Sequence, residues 1–356
     1  MLYRVIDASE LPSLVSAFLE TYEVIAPVKS GMSHAYSTVE SFEEIALDYT
    51  TTITPLKKLF LPVRETLLTF DTETNDVTEY SEPIAPRVVF GAHACDINAL
   101  NSLDLVFRDG PYPDPYYTAR RNATLIVGIS CMPTDTCFCH LWGSDEARFG
   151  YDLFLQDIGG KYLVSISSVE AANILEAACS PREATDEERA EFRRQEAFNK
   201  EIPDIQGVAM LMDAFHSDPF WEELGGRCLS CTACASACPT CYCFDIRDVR
   251  TPDGKHGSRE RVWDCCTVRR RGGRAQLPTR RAQPRAPSHV SQAQRLSCHA
   301  RPHALRGMRA LCARLQGQHQ SHRGAEVLRA KGGRRCRITL QPPQSRCIPS
   351  MMPGLR

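Results

Sequence analysis

The chain has no phenylalanine, tyrosine or tryptophan after Trp263, and a single acidic residue, Glu326, after position 266. A stretch so poor in aromatics and acids has little with which to build a packed core. No apolar run approaches the roughly 20 residues that cross a bilayer. The start, Met1-Leu-Tyr-Arg-Val-Ile-Asp7, lacks the apolar core of an export signal. There is no G-x-G-x-x-G, no phosphate loop and no Ser/His/Asp set, so direct dinucleotide binding and independent catalysis are unsupported. The expected location is the cytoplasm, where thiols stay reduced and cysteines serve metals more often than disulfides.

Cysteine is what the sequence has in excess. Six of its 17 cysteines fall between Cys228 and Cys243, at Cys228, Cys231, Cys234, Cys238, Cys241 and Cys243, with Pro239 after the fourth. The spacing C-x2-C-x2-C-x3-C-P is that of a [4Fe–4S] cluster loop, in which three thiolates wrap one cube and the fourth serves the other cluster of a two-cluster protein. The residues between them, Ser230, Thr232, Ala233, Ala235, Ser236 and Ala237, are small, which lets backbone N–H groups approach the sulfides. A structural zinc site is the competing reading, because C-x2-C alone is ambiguous; three evenly spaced cysteines followed by C-P favour iron–sulfur. Cys228, Cys231, Cys234 and Cys238 are the cluster candidates, and Cys241, Cys243 and Cys265 are further thiols within the same stretch of chain.

Charge divides the chain. Residues 267–356 hold 20 Lys and Arg against one acid, leaving 22 basic and 42 acidic residues to the first 266 positions. The near-neutral total hides two segments of about −20 and +19. The expected organisation is an α/β domain over 1–180, a charged helical linker over 181–205, an iron–sulfur domain over 206–266 and a basic, low-order tail over 267–356.

The first part reads as α/β. Ala8 to Glu20 has Leu14, Ala17 and Phe18 at helical spacing, and Val24 to Val28 reads as a short strand. Leu56 to Pro62 is an apolar turn leading into Glu65 to Phe70. Arg87 to Cys95, Asp96 to Phe107 and Ala123 to Cys131 read as strand, helix and strand, a βαβ unit with parallel strands. Lys161 to Ser167 is strand-like, Val169 to Ala178 helical, and Gly207 to His216 helical ahead of Phe220 and Trp221. Both strands of the βαβ unit are expected to end in cysteine, at the sheet edge where α/β ligands bind. Cys95, Cys131, Cys137 and Cys139 could therefore converge as a second metal site, or be ordinary buried or reduced thiols. His93 and His140 lie nearby, and a lone histidine is more often packed or solvated than a ligand. Cys179 is isolated and expected to be inert.

The run from Arg227 through the cysteines to Asp248, followed by Trp263-Asp264-Cys265, resembles the dicluster iron–sulfur electron-transfer subunits found in cytoplasmic sulfhydrogenases, as their beta subunit, and in anaerobic sulfite reductase. Leu56-Lys-Lys-Leu-Phe-Leu-Pro62, Phe90-Gly-Ala-His-Ala-Cys-Asp96, Tyr112-Pro-Asp-Pro-Tyr-Tyr117 and Thr136-Cys-Phe-Cys139 are similar to that family in the same order. The resemblance implies a helical ferredoxin-like domain after the α/β part. It also implies one or two [4Fe–4S] clusters and a relay. The relay would link a flavin-bearing, NAD(P)H-linked partner to a catalytic hydrogenase or sulfite reductase partner. The departure is the tail: the family's second C-x2-C-x2-C-x3-C motif has no counterpart among Cys298, Cys312, Cys336 and Cys347. A frameshift near codon 266 would explain this, and would leave the iron–sulfur domain incomplete. The rivals are a genuine basic tail, a divergent domain, a zinc-stabilised nucleic-acid-binding protein using that tail, and a stand-alone reductase working through the 95/131/137/139 thiols.

Overall fold

The structure, a computed structural model, describes residues 2–80, 83–132, 134, 137, 139, 143–190, 219 and 231–264. Cys228, Cys265, His140, Phe220, Trp221, most of the expected linker, the expected helix over 207–216 and the basic tail lie outside the described residues.

Two short apolar runs, Arg87-Val-Val-Phe-Gly-Ala and Thr124-Leu-Ile-Val-Gly-Ile, form the centre of the fold as β6 (Arg87–Ala92) and β7 (Thr124–Ile129). Runs without polar alternation suit strands covered on both faces. Before them come β1 (Leu2–Asp7), α1 (Leu11–Leu19), β2 (Glu23–Ser30), β3 (Ser33–Thr38), β4 (Arg64–Asp71) and β5 (Val77–Glu79). Between them lie α2 (Ala94–Phe107) and α3 (Pro115–Asn122). After them follow β8 (Leu153–Asp157), β9 (Lys161–Ile166), α4 (Val169–Ala178) and β10 (Arg182–Glu183). The described chain resumes with the five-residue α5 (Ala233–Ala237), then β11 (Phe244–Arg250) and β12 (His256–Trp263).

Among the described residues one sheet has eight strands in the order β10-β1-β9-β8-β7-β6-β2-β3. The pairs β2–β6, β6–β7 and β7–β8 are parallel, while antiparallel pairing closes both edges. The expected βαβ unit is thus present, with Val89 opposite Ile126 across β6 and β7. Alternation along β6 sends Val88 and Phe90 to one core and Val89 to another. Leu14 and Phe18 of α1 and Leu175 of α4 cover the first face. Ile97, Leu100 and Leu103 of α2 and Tyr117 of α3 cover the second. A Cβ on Gly128 would lie 2.4 Å from a Phe154 ring carbon and 2.8 Å from Ile97 Cδ1. The helix therefore packs on β7 at a distance that glycine permits.

The C-terminal end of β6 departs from the expected form. Gly91 has φ +82° and the β6–β7 register shifts between Phe90 and Ala92, a bulge that needs a residue free of Cβ. The strand ends at Ala92, His93 caps α2, and Cys95 becomes the second residue of that helix. Cys95 is therefore not a strand-end residue, and Asp96 sits in the first turn of α2.

A second sheet of four antiparallel strands, β11-β12-β4-β5, joins residues 64–79 to residues 244–263. Its strands come from both sides of the expected 181–205 linker, and the described part of 206–266 is one short helix followed by a hairpin. Under that sheet runs a buried ionic chain. The Arg261 Nε donates to Glu65 at 2.6 Å, Arg120 donates to the other Glu65 oxygen at 2.7 Å, and Arg261 also bonds Asp114. Burial pulls the Arg261 guanidinium down, but its bond to Asp114 and attraction to Glu65 outweigh this and hold it above its ordinary value.

Cys179 closes α4, half-buried, with its thiol donating to Glu10 O. Burial, reinforced by the Glu10 carboxylate, pushes the thiol up to about 11. At pH 8 only about one molecule in a thousand then carries the reactive thiolate. Iodoacetamide on the native protein should label Cys179 at least ~10-fold more slowly than the exposed Cys131, read by mass spectrometry of peptides. Equal rates would contradict this.

Candidate metal centre

The cysteine loop is laid down by one left-handed residue. Thr232 has φ +62° and stands before α5, and its carbonyl accepts from Ala235 N and Ser236 N at 3.0 Å each. A β-branched residue in that region costs of order 1–3 kcal/mol and persists only where its surroundings demand it. The turn sets Cys231 ahead of the helix and Cys234 within it, both exposed. Cys238 follows the helix and is buried, Cys241 is half-buried and Cys243 is exposed. Burial pushes the Cys238 thiol up from its usual range; hydrogen bonds from Thr240 and the charge of Lys57 oppose that shift.

Three distant segments hold this loop. Lys57 belongs to a 3-10 turn, Leu56–Leu59, and is only 2% exposed. Its ammonium donates to Ala235 O at 3.1 Å and Cys241 O at 2.9 Å, and lies 4.2 Å from the centre of the Trp263 ring. Trp263 Nε1 donates to Leu61 O at 3.0 Å, Trp263 N to Val63 O at 2.9 Å, and Asp264 N to Cys243 O at 3.0 Å. Tyr242 packs edge-on against Phe107 at the end of α2. Lys57, Thr232, Ala235, Cys241, Cys243 and Trp263 line a cavity of about 60 Å³. The segments Leu56–Pro62, Cys231–Cys243 and Trp263–Asp264 thus meet in space. Nothing in the local pattern gives Lys57 this place: two lysines, Lys57 and Lys58, stand in an otherwise apolar turn, and the pattern does not say which is buried.

The other thiols stand as follows. Cys95 is half-buried, Cys131 exposed, Cys137 half-buried and Cys139 buried. Cys137 Sγ accepts from Thr134 N at 3.3 Å. Among the described residues no three His, Cys, Asp or Glu side chains stand close enough to hold a metal ion. Cys95, in the first turn of α2, and Cys131, Cys137 and Cys139 form no such group among them. The described thiols of the cysteine loop form no such set either, and Cys228 lies outside them. His93 is buried and stacks on Tyr49, ring centres 4.0 Å apart.

Residues 227–301 match the 4Fe-4S dicluster domain family. The sulfhydrogenase 2 subunit beta of Pyrococcus furiosus is 35% identical over 254 residues, spanning 70% of this chain and 75% of that protein. This chain belongs to the sulfhydrogenase beta-subunit family. It is an iron–sulfur electron-transfer subunit of the [4Fe–4S] class. No solved structure matches it. The dicluster match runs past Cys266 into the basic stretch and contains one cysteine there, Cys298.

The residues of this family member fit such a cluster by donor chemistry. Soft thiolates are the ligands iron–sulfur groups take. Two of them flank a left-handed turn and stand exposed, with small residues between. Cys228, Cys231 and Cys234 would hold one cluster, with Cys238, Cys241, Cys243 and Cys265 as the remaining candidates. Such a cluster would supply one-electron redox chemistry, and the chain would hold it and set its electrostatic surroundings. No helix among the described residues is long and apolar enough to cross a membrane.

Proposed function

We propose that the chain relays single electrons inside a cytoplasmic oxidoreductase complex, between a flavin-bearing, NAD(P)H-linked partner and a catalytic hydrogenase or sulfite reductase partner. The observation that carries the reading is the 35% identity to a sulfhydrogenase beta subunit over 75% of that protein's length. The cysteine spacing at Cys228, Cys231, Cys234 and Cys238 supports it, as does the lack of a Ser/His/Asp set or phosphate loop in the sequence. Cys228, Cys231 and Cys234 serve three irons of one cluster, and its fourth ligand comes from the remaining thiols. The 1–180 domain, the 181–205 linker and a 206–266 iron–sulfur domain belong to the same proposal, with any helical ferredoxin-like arrangement confined to the part ahead of the β11–β12 hairpin. Residues 267–356 are read as out of frame; sequencing the gene across codon 266 checks this. An intact frame to residue 301 would instead make the basic stretch a genuine, divergent part of the dicluster domain.

The test is a visible spectrum of anaerobically purified protein. A broad brown shoulder that dithionite bleaches is expected, with iron and sulfide in near-equal amounts. A colourless protein carrying zinc would overturn the reading in favour of the nucleic-acid-binding alternative. Co-purification from the native cell names the catalytic partner. Capture of neither a flavoprotein nor a nickel–iron or sirohaem protein would overturn the relay.

A further inference from the structure

A buried lysine beside a cysteine-rich loop calls for an explanation. Lys57 comes from a turn about 180 positions upstream of the loop it touches. It is 2% exposed and bonds two loop carbonyls, Ala235 O and Cys241 O. The Trp263 ring lies 4.2 Å from its nitrogen. Packing alone would not select an ammonium, because taking a cation out of water is costly. Carbonyl dipoles and a ring face recover part of that cost. The place that gains from the cation is the cysteine loop, which carries several thiols and would hold an anionic cluster.

We infer that Lys57 is a positioning residue for the iron–sulfur centre, with two roles. Its hydrogen bonds fix the loop between α5 and Cys241, and its buried charge raises the centre's reduction potential. The inference rests on the electron-transfer reading above. The second role follows from charge balance. When dithionite supplies one electron, the cluster gains one negative charge and its ligands do not change. A fixed positive charge in a low-dielectric site favours that more negative state. Lys58, the next residue, lies outside these contacts and makes a natural control.

The experiment is a redox titration of the full chain, purified anaerobically with its iron, followed in the visible band. In Lys57→Met the ratio of oxidised to reduced centre at the wild-type midpoint should rise about tenfold, a fall of about 59 mV for one electron. Lys57→Gln, which still donates hydrogen bonds, should show the same fall. Lys57→Arg should stay within about threefold of wild type, and Lys58→Met should be unchanged. Iron retention under a chelator should fall in Lys57→Met and less in Lys57→Gln, since only the latter can still bond the carbonyls. If Lys57→Met and Lys57→Gln keep their iron and the wild-type midpoint, the inference is overturned while the electron-transfer reading stands. If neither neutral variant loads, Lys57→Arg decides: full iron there supports a required cation, and loss there reduces Lys57 to packing. A wild-type protein without iron and sulfide would instead sink the electron-transfer reading itself.

Discussion

Cys234→Ala should leave the anaerobically purified protein with well under half of its wild-type iron and acid-labile sulfide. Cys228→Ala and Cys231→Ala should do the same. A cube that loses one thiolate has an open corner through which water and chelators reach iron, and the remaining thiolates hold it poorly. The geometry sharpens the expectation for two of the three. Cys231 and Cys234 are exposed on either side of the left-handed Thr232, whose carbonyl accepts from Ala235 N and Ser236 N. A backbone turned in this way has no evident use in packing, because α5 buries none of its residues. Cys179→Ala is the control: that half-buried thiol closes α4 and should leave iron unchanged. Unchanged iron in all three loop variants would refute the ligand assignment.

What the sequence shows and what it hides divide along a physical line. Where neighbours in the chain are neighbours in space, the pattern is readable. The apolar runs of β6 and β7, the helical spacing of α1, the limits of α4 and the cysteine loop all fall in this class. The apolar pattern misplaces Cys95 because one glycine, Gly91, bulges β6 and starts the helix early, and a bulge has no periodicity of its own. The four-stranded sheet is invisible to local reading for a different reason. β4 pairs with β12 across almost two hundred positions, and antiparallel partners at that separation share no motif. Lys57 lies in the same blind spot: its bonds to Ala235 and Cys241 span 178 and 184 positions. The thiols of the candidate centre are therefore legible in the sequence, but the setting around them is not.

Glu65→Ala should lower unfolding stability by about 3–5 kcal/mol, read as a fall in the urea midpoint under anaerobic conditions. Glu65 is 8% exposed and accepts from two guanidiniums, Arg261 of β12 and Arg120 of α3. Removing its carboxylate strands buried positive charge, and the loss of one partner from such a set costs far more than the set contributes by existing. Arg261 would retain Asp114, while Arg120 would be left, among the described residues, with the backbone carbonyls of Phe60 and Tyr116. The neighbouring pair makes the comparison. Arg64 also bridges β4 to β12, through Glu260 at 2.6 Å, but its side chain is 63% exposed. Arg64→Ala should therefore cost far less, and that cost should shrink with added salt while the Glu65→Ala cost does not. The strand that Glu65 anchors ends at Trp263, which lies against Lys57 beside the cysteine loop. Loosening β12 should thus speed iron loss to a chelator in Glu65→Ala and leave it unaltered in Arg64→Ala. Equal midpoints for the two variants would show that the buried chain of charges does not hold the hairpin to the α/β body.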